Sequence, residues 1–149
     1  MQTIDSTWSP LKIIELLAEN RHIADLKTFL SPEFPKSNLK LKKAVTIINQ
    51  SIKNGENILI YGDYDVDGIT ATAILWQALY SHTKKVTPFV PHREHDGYGL
   101  KATSFFRFQE EKGIKFDLLI TVDNGIVADK EIKKILDKQK IKIIITDHH

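Results

Sequence analysis

The chain has 149 residues, 42% hydrophobic and 27% charged, with a formal net charge of +2 and no cysteine. This size and balance point to one globular domain, or one with an appendage, and argue against disorder or low-complexity architecture; the missing thiol excludes cysteine nucleophiles, zinc–thiolate sites and disulfides. No basic-then-apolar leader opens the sequence and no apolar run approaches the roughly 20 residues that span a bilayer, so a cytoplasmic protein with no membrane partner is expected.

Ser9-Pro10 starts a helix, with Ser as N-cap and Pro preset for the first turn, and Leu11, Ile14, Leu17 and Ala18 follow at helical spacing. A second short helix is expected from Ile23 to Leu30, broken by Ser31-Pro32-Glu33-Phe34-Pro35. Leu41, Ala44, Val45, Ile48 and Ile52 fall on one face of a longer third helix, so residues 1–54 form an all-helical leader. Beyond Asn54-Gly55 the pattern becomes strand, helix, strand. Strands are predicted near 57–62, 85–90, 117–122 and 141–146, the second at a sheet edge because of Pro88. Helices are predicted over Ile69–Tyr80, Lys101–Lys112 and Ala128–Lys138. This alternation gives an α/β fold over residues 55–149, a mostly parallel sheet with helices on both faces.

Three predicted strands end in polar clusters: Gly62-Asp63-Tyr64-Asp65-Val66-Asp67-Gly68, then Asp123-Asn124-Gly125, then Asp147-His148-His149. Ligands of open α/β sheets bind beyond the carboxyl ends of the strands, where all three clusters would lie. Carboxylates gathered there repel one another unless a divalent cation sits among them, and oxygen ligands with imidazole suit Mg²⁺ or Mn²⁺. Two such ions can drive phosphoester hydrolysis. Singly, each piece has an ordinary explanation: an Asp before a helix caps it, Asp-Asn-Gly makes a turn, and a terminal His pair is a common tag remnant. Their coincidence at successive strand ends has none. Asp63, Asp65, Asp67 and Gly68 also match half an EF-hand loop, but Ile74 stands where its bidentate Glu is required. Asp65-Val66-Asp67-Gly68 approaches a haloacid-dehalogenase nucleophile motif, yet Ile69 displaces the expected Thr and Asp147-His148-His149 is left unexplained.

These residues resemble the DHH phosphoesterase superfamily, a Rossmann-like fold, and within it the RecJ-type single-strand-specific exonucleases. The likeness rests on Tyr61 to Thr70, Val122-Asp123-Asn124-Gly125 and Thr146-Asp147-His148-His149, with Val90-Pro91-His92-Arg93 and Gly97-Tyr98-Gly99-Leu100 between them. Leu16 to Arg21 and Phe29 to Pro32 are similar to the amino-terminal region of that group. The resemblance implies a two-metal Mn²⁺ or Mg²⁺ site with Asp65, Asp67, Asp123 and His148 as ligands and Asp63 as a further ligand or supporting carboxylate. It implies catalytic roles for His148, His149 and Asp147, and 5′-to-3′ digestion of single-stranded DNA in recombination and repair. The family has one more metal-binding Asp motif, a second domain and commonly an OB-type module. The sequence is therefore expected to be an amino-terminal piece, inactive by itself.

For DNA contact, His92 and Arg93 follow a strand and suit phosphate, and Tyr98 suits either base stacking or a tight turn. Phe105, Phe106 and Phe108 with Arg107 offer a stacking platform or, as aromatics at helical spacing usually do, core packing. Two other functions fit the same residues: a hydrolase of short oligonucleotides, cyclic dinucleotides or nucleotide phosphates, and a non-catalytic metal- or nucleic-acid-binding module.

Overall fold

The computed structural model describes residues 7–31 and 41–148. The chain divides into two units, Met1–Leu39 and Lys40–His149. In the first, α1 (Pro10–Asn20) starts as the sequence predicts, the Ser9 hydroxyl accepting the Lys12 N–H with Pro10 in the first turn. Its buried residues are Leu16 and Ala18, whereas Leu11 and Leu17 are exposed. The expected apolar face is thus rotated. The second helix is shorter than predicted, α2 (Leu26–Leu30), because Asp25 caps it by accepting the Thr28 N–H. The expected break at Pro32 to Pro35 lies outside the described residues.

The second unit begins with α3 (Lys42–Lys53) and contains a four-stranded sheet in the order β2-β1-β3-β4, parallel throughout. The strands are β1 (Ile58–Tyr61), β2 (Val86–Phe89), β3 (Leu118–Val122) and β4 (Lys142–Thr146), each within a residue or two of its predicted span. β1 and β3 are buried along their whole length, as parallel strands covered on both sides must be. Pro88 lies on edge strand β2, where its missing N–H leaves no gap in a central ladder.

Alternation along the strands sends side chains to two cores. Ile58, Ile60, Leu118, Ile120 and Ile144 face α3 and α4 (Val66–Tyr80), which contribute Ala44, Ile47, Ile48, Ile52, Ala71, Leu75, Trp76 and Leu79. Leu59, Tyr61, Phe89 and Leu119 face α6 (Ala102–Lys112) and α7 (Asp129–Lys138). In this second core Phe105 and Phe108 are buried, Phe106 packs beside them, and Arg107 pairs with Asp96 and Glu111. The aromatic run is core, not an exposed stacking platform. The residue 55 boundary follows the change in sequence pattern, yet α3 packs on the sheet, and Lys142 Nζ ties its Ser51 to β4. Leu41 and Val45, expected on the inner face of α3, are exposed and Ile47 packs instead. A one-turn helix absent from the prediction, α5 (Arg93–Asp96), follows β2.

Candidate metal centre

The chain leaves β1 in one direction to β2, then crosses to β3 and β4 on the other side. The carboxyl ends of β1 and β3 therefore flank the point where strand order reverses, the usual ligand crevice of such sheets. After β1, Gly62 N–H donates to Phe89 O, and Asp63 follows with no solvent exposure. Asp63 Oδ1 accepts the Tyr64 N–H at 2.7 Å, whereas its buried Oδ2 has no hydrogen-bond partner. Asp65 is the N-cap of α4 and its Oδ1 accepts the Gly68 N–H at 2.9 Å. The ordinary capping role holds for Asp65, which leaves Oδ2 for a ligand. Asp67, in the first turn, is exposed. Gly68 is what lets α4 approach the loop. A Cβ there would sit 2.6 Å from Cβ, N and O of Asp63.

After β3 comes Asp123, whose backbone is in the left-handed region at φ 61°, a conformation that costs free energy for any residue but Gly and that Asp tolerates better than most. Three neighbours hold it there. Its N–H donates to Thr146 O at 2.9 Å, buried Asn124 donates through Nδ2 to Val122 O and Tyr61 O, and Gly125 takes φ 110°. After β4, Asp147 Oδ2 accepts the Ile126 N–H and Oδ1 the His148 N–H, which binds the β4 end to the β3–α7 loop. The exposed His148 ring reaches back so that Nε2 is 2.8 Å from Asp123 Oδ1.

Asp67, Asp123, Asp147 and His148 thus line one cleft of 240 Å³, walled by Ala71, Val122 and Thr146. Asp63 lies beneath the start of α4 and Asp65 is turned into the cap, and neither lines that cleft. No three of these candidate ligands bring their ligand atoms within 4.8 Å of one another among the described residues. They ring the crevice rather than close on one point. His149 lies outside the described residues.

The expected DNA-binding residues divide. Tyr98 packs edge-on against Tyr64 at 6.1 Å and the Arg93 guanidinium lies 5.5 Å over the Tyr64 ring, so both reach the acid-lined edge through Tyr64. Tyr98 also lines a neighbouring cleft of 530 Å³ with Lys101, Asn124, Lys130 and Asp147. Local desolvation, then the charges of Asp63, Asp147 and Asp123, hold the Tyr98 hydroxyl above its usual pKa. His92 caps α5 and stacks on His95 at 4.7 Å. The sequence reading does not single out Tyr64 or Asn124. The signal for each was its place inside an acid motif, Tyr64 between Asp63 and Asp65 and Asn124 after Asp123.

Residues 57–149 match the family described as DHH family, N-terminal domain. The chain is 37% identical over 109 residues to the single-stranded-DNA-specific exonuclease RecJ of Thermus thermophilus, covering 73% of this chain and 16% of that protein. It is 41% identical over 109 residues to the Bacillus subtilis protein of the same name, covering 73% and 13%. The chain therefore spans about a seventh of the length of these relatives. A crystal structure of exonuclease RecJ bound to manganese superposes with a TM-score of 0.66 at 36% identity, over 77% of this chain and 29% of that one. The crystal structure of RecJ from Thermus thermophilus in complex with Mn²⁺ gives 0.66 at 31% identity, over 91% and 19%.

Proposed function

The chain belongs to the DHH family, and from that premise we propose that it forms the metal-binding core of an exonuclease that hydrolyses single-stranded DNA from the 5′ end, in the cytoplasm, in recombination and repair. The observation that carries this reading is the set of acids and one imidazole gathered at the carboxyl ends of β1, β3 and β4, with Asp67, Asp123, Asp147 and His148 around one cleft. The donor chemistry at these strand ends, carboxylate oxygens with one imidazole, suits a divalent cation. Asp63 Oδ2 is a fully buried carboxylate oxygen without a donor, an arrangement that is costly unless a cation or donor meets it. Asp63, Asp65 through Oδ2, Asp67, Asp123 and His148 would hold Mn²⁺ or Mg²⁺, the hard ions that such oxygen-rich donors select. Bound there, two such ions would supply a hydroxide at neutral pH and offset charge on the phosphoryl oxygens.

The remaining tasks fall to the chain itself. Asp147, pinned by the Ile126 and His148 N–H groups, orients the segment that carries His148. His148, its Nε2 2.8 Å from Asp123 Oδ1 and open to solvent, would serve at the cleft mouth as a ligand or against the scissile phosphate, and the proton-transfer role is left to the neighbouring His149 of the sequence. Arg93 offers its guanidinium to a phosphate and Tyr98 its ring to a base, while His92 is a weaker phosphate group because it faces His95.

The test is nucleotide release from 5′-phosphorylated single-stranded DNA with Mn²⁺ by the native polypeptide that carries these residues, beside duplex DNA, a dinucleotide and the Asp123→Ala variant. Digestion of the single strand, lost in Asp123→Ala, is expected. Preference for the dinucleotide would make it a short-oligonucleotide hydrolase, and metal binding without turnover a binding module. Full activity in Asp123→Ala would overturn the site.

A further inference from the structure

We propose that His92, Glu94 and His95 form a second metal site, sharing no residue with the strand-end acids and suited to a transition-metal ion such as Zn²⁺. Each of the three offers a ligand atom, and these atoms all lie within 4.8 Å of one another, the one such group among the described residues. The local backbone explains the convergence. His92 is the extended N-cap of α5, at φ −88° and ψ 125°, and the single turn that follows sets Glu94 and His95 on its side. Residues three apart on a helical turn are neighbours, and here the two imidazoles stack with centroids 4.7 Å apart and planes 28° from parallel.

The donor set decides which ion. Two imidazoles and one carboxylate with an open fourth position are a recurrent zinc arrangement, and imidazole favours Zn²⁺, Ni²⁺ and Cu²⁺ over Mg²⁺. The oxygen-rich crevice at the strand ends has the opposite preference, so the two sites sort ions by chemistry. All three side chains are exposed, and an ion reaches them without burial of a charged group. The segment is also held in shape before binding. Asp96 accepts the His92 backbone N–H at 2.8 Å and pairs with Arg107, which fixes the turn and keeps Asp96 itself out of the ligand set. Binding displaces one contact, the 3.3 Å bond from the Glu94 N–H to His92 Nδ1, which is long and lies at an exposed helix end. Arg93 sits within the ligand triplet with its guanidinium over Tyr64, so an ion here fixes the segment that carries Arg93.

Co²⁺ is the probe, because a tetrahedral nitrogen and oxygen site colours it in the visible. Titrated into the chain at pH 7.5, Co²⁺ should give visible bands that Zn²⁺ abolishes. The bands should persist in Asp67→Asn/Asp123→Asn, which disables the strand-end acids. In His95→Ala they should vanish. In Glu94→Gln affinity should fall by at least the roughly 10–100-fold that loss of even an outer-shell partner costs. Far-ultraviolet circular dichroism of each variant should match that of the parent. Bands of unchanged strength in His95→Ala would assign the ion to other histidines and overturn the site, and so would their loss in Asp67→Asn/Asp123→Asn.

Discussion

Replacing Gly68 by alanine would put a methyl group 2.6 Å from Cβ, N and O of Asp63. Two of those atoms are backbone, so relief requires moving the β1–α4 loop or the helix rather than turning a side chain. Overpacking of this kind costs about 1–3 kcal/mol, and three simultaneous contacts under 3 Å place Gly68→Ala at the upper end. Alanine recovers about 1 kcal/mol of helix propensity over glycine, which leaves a net loss of about 2 kcal/mol. In a domain of about 100 residues that lowers the melting temperature by about 8 °C or more. The assay is thermal unfolding by circular dichroism with and without Mn²⁺. Because the displaced residue is Asp63, the Mn²⁺-induced rise in melting temperature should shrink as well. Gly62→Ala is the comparison. Its Cβ would meet the Thr72 hydroxyl at 2.1 Å, so adding Thr72→Ala should restore much of its stability, whereas no side-chain deletion rescues Gly68→Ala. A Gly68→Ala protein that melts within about 2 °C of the parent, a difference near 0.5 kcal/mol, would refute the close-approach argument.

Asn124→Ala removes both Nδ2 bonds that tie the Asp123 turn to β1 and β3, and should cost about 1–3 kcal/mol on denaturant unfolding and weaken Mn²⁺ binding. Burial pushes the Tyr61 hydroxyl up to about 12 from an ordinary 10.0. The fold favours its neutral form, so the stability it contributes is complete below pH 10.0 and is lost as pH rises through about 12. A late step in tyrosinate absorbance, absent from Tyr61→Phe, is the check. Burial alone would raise the Asp96 carboxyl, but hydrogen bonds from Ser104, His92 and Arg107 carry it below its usual 3.8. Its contribution is present above pH 3.8 and lost as pH falls through the lower folded value, so Asp96→Asn should flatten the acid limb of the stability profile.

How much was legible depended on how strongly one force dominated each segment. β1 and β3 are short, almost wholly apolar runs bounded by turn signals, too short for a helix and suited to a strand buried on both sides. Pro88 marked the edge strand through the missing N–H, and the phenylalanines of α6 went to the core because burial of large rings outweighs what exposed stacking offers. The faces of α1 and α3 were harder. Leu11, Leu17, Leu41 and Val45 extend the apolar stripe beyond what packing uses, so spacing alone left its rotation open. The one turn of α5 is too short to carry a period, and its cap is a histidine rather than one of the usual capping residues. At the site, the acids were visible because carboxylates at three strand ends need a common reason. The hydrogen bonds of Asn124 and the Tyr64–Tyr98–Arg93 contact join residues far apart in the chain, and no local pattern announces them.

The most direct test of the central claim is a Mn²⁺ titration followed by electron paramagnetic resonance, in which the signal of the free hexa-aqua ion falls as the protein takes it up. The strand-end acids should bind Mn²⁺ in the unaltered chain, and Asp67→Asn/Asp123→Asn should leave the free-ion signal as high as in buffer. Equal uptake by the parent and by that variant would contradict the account.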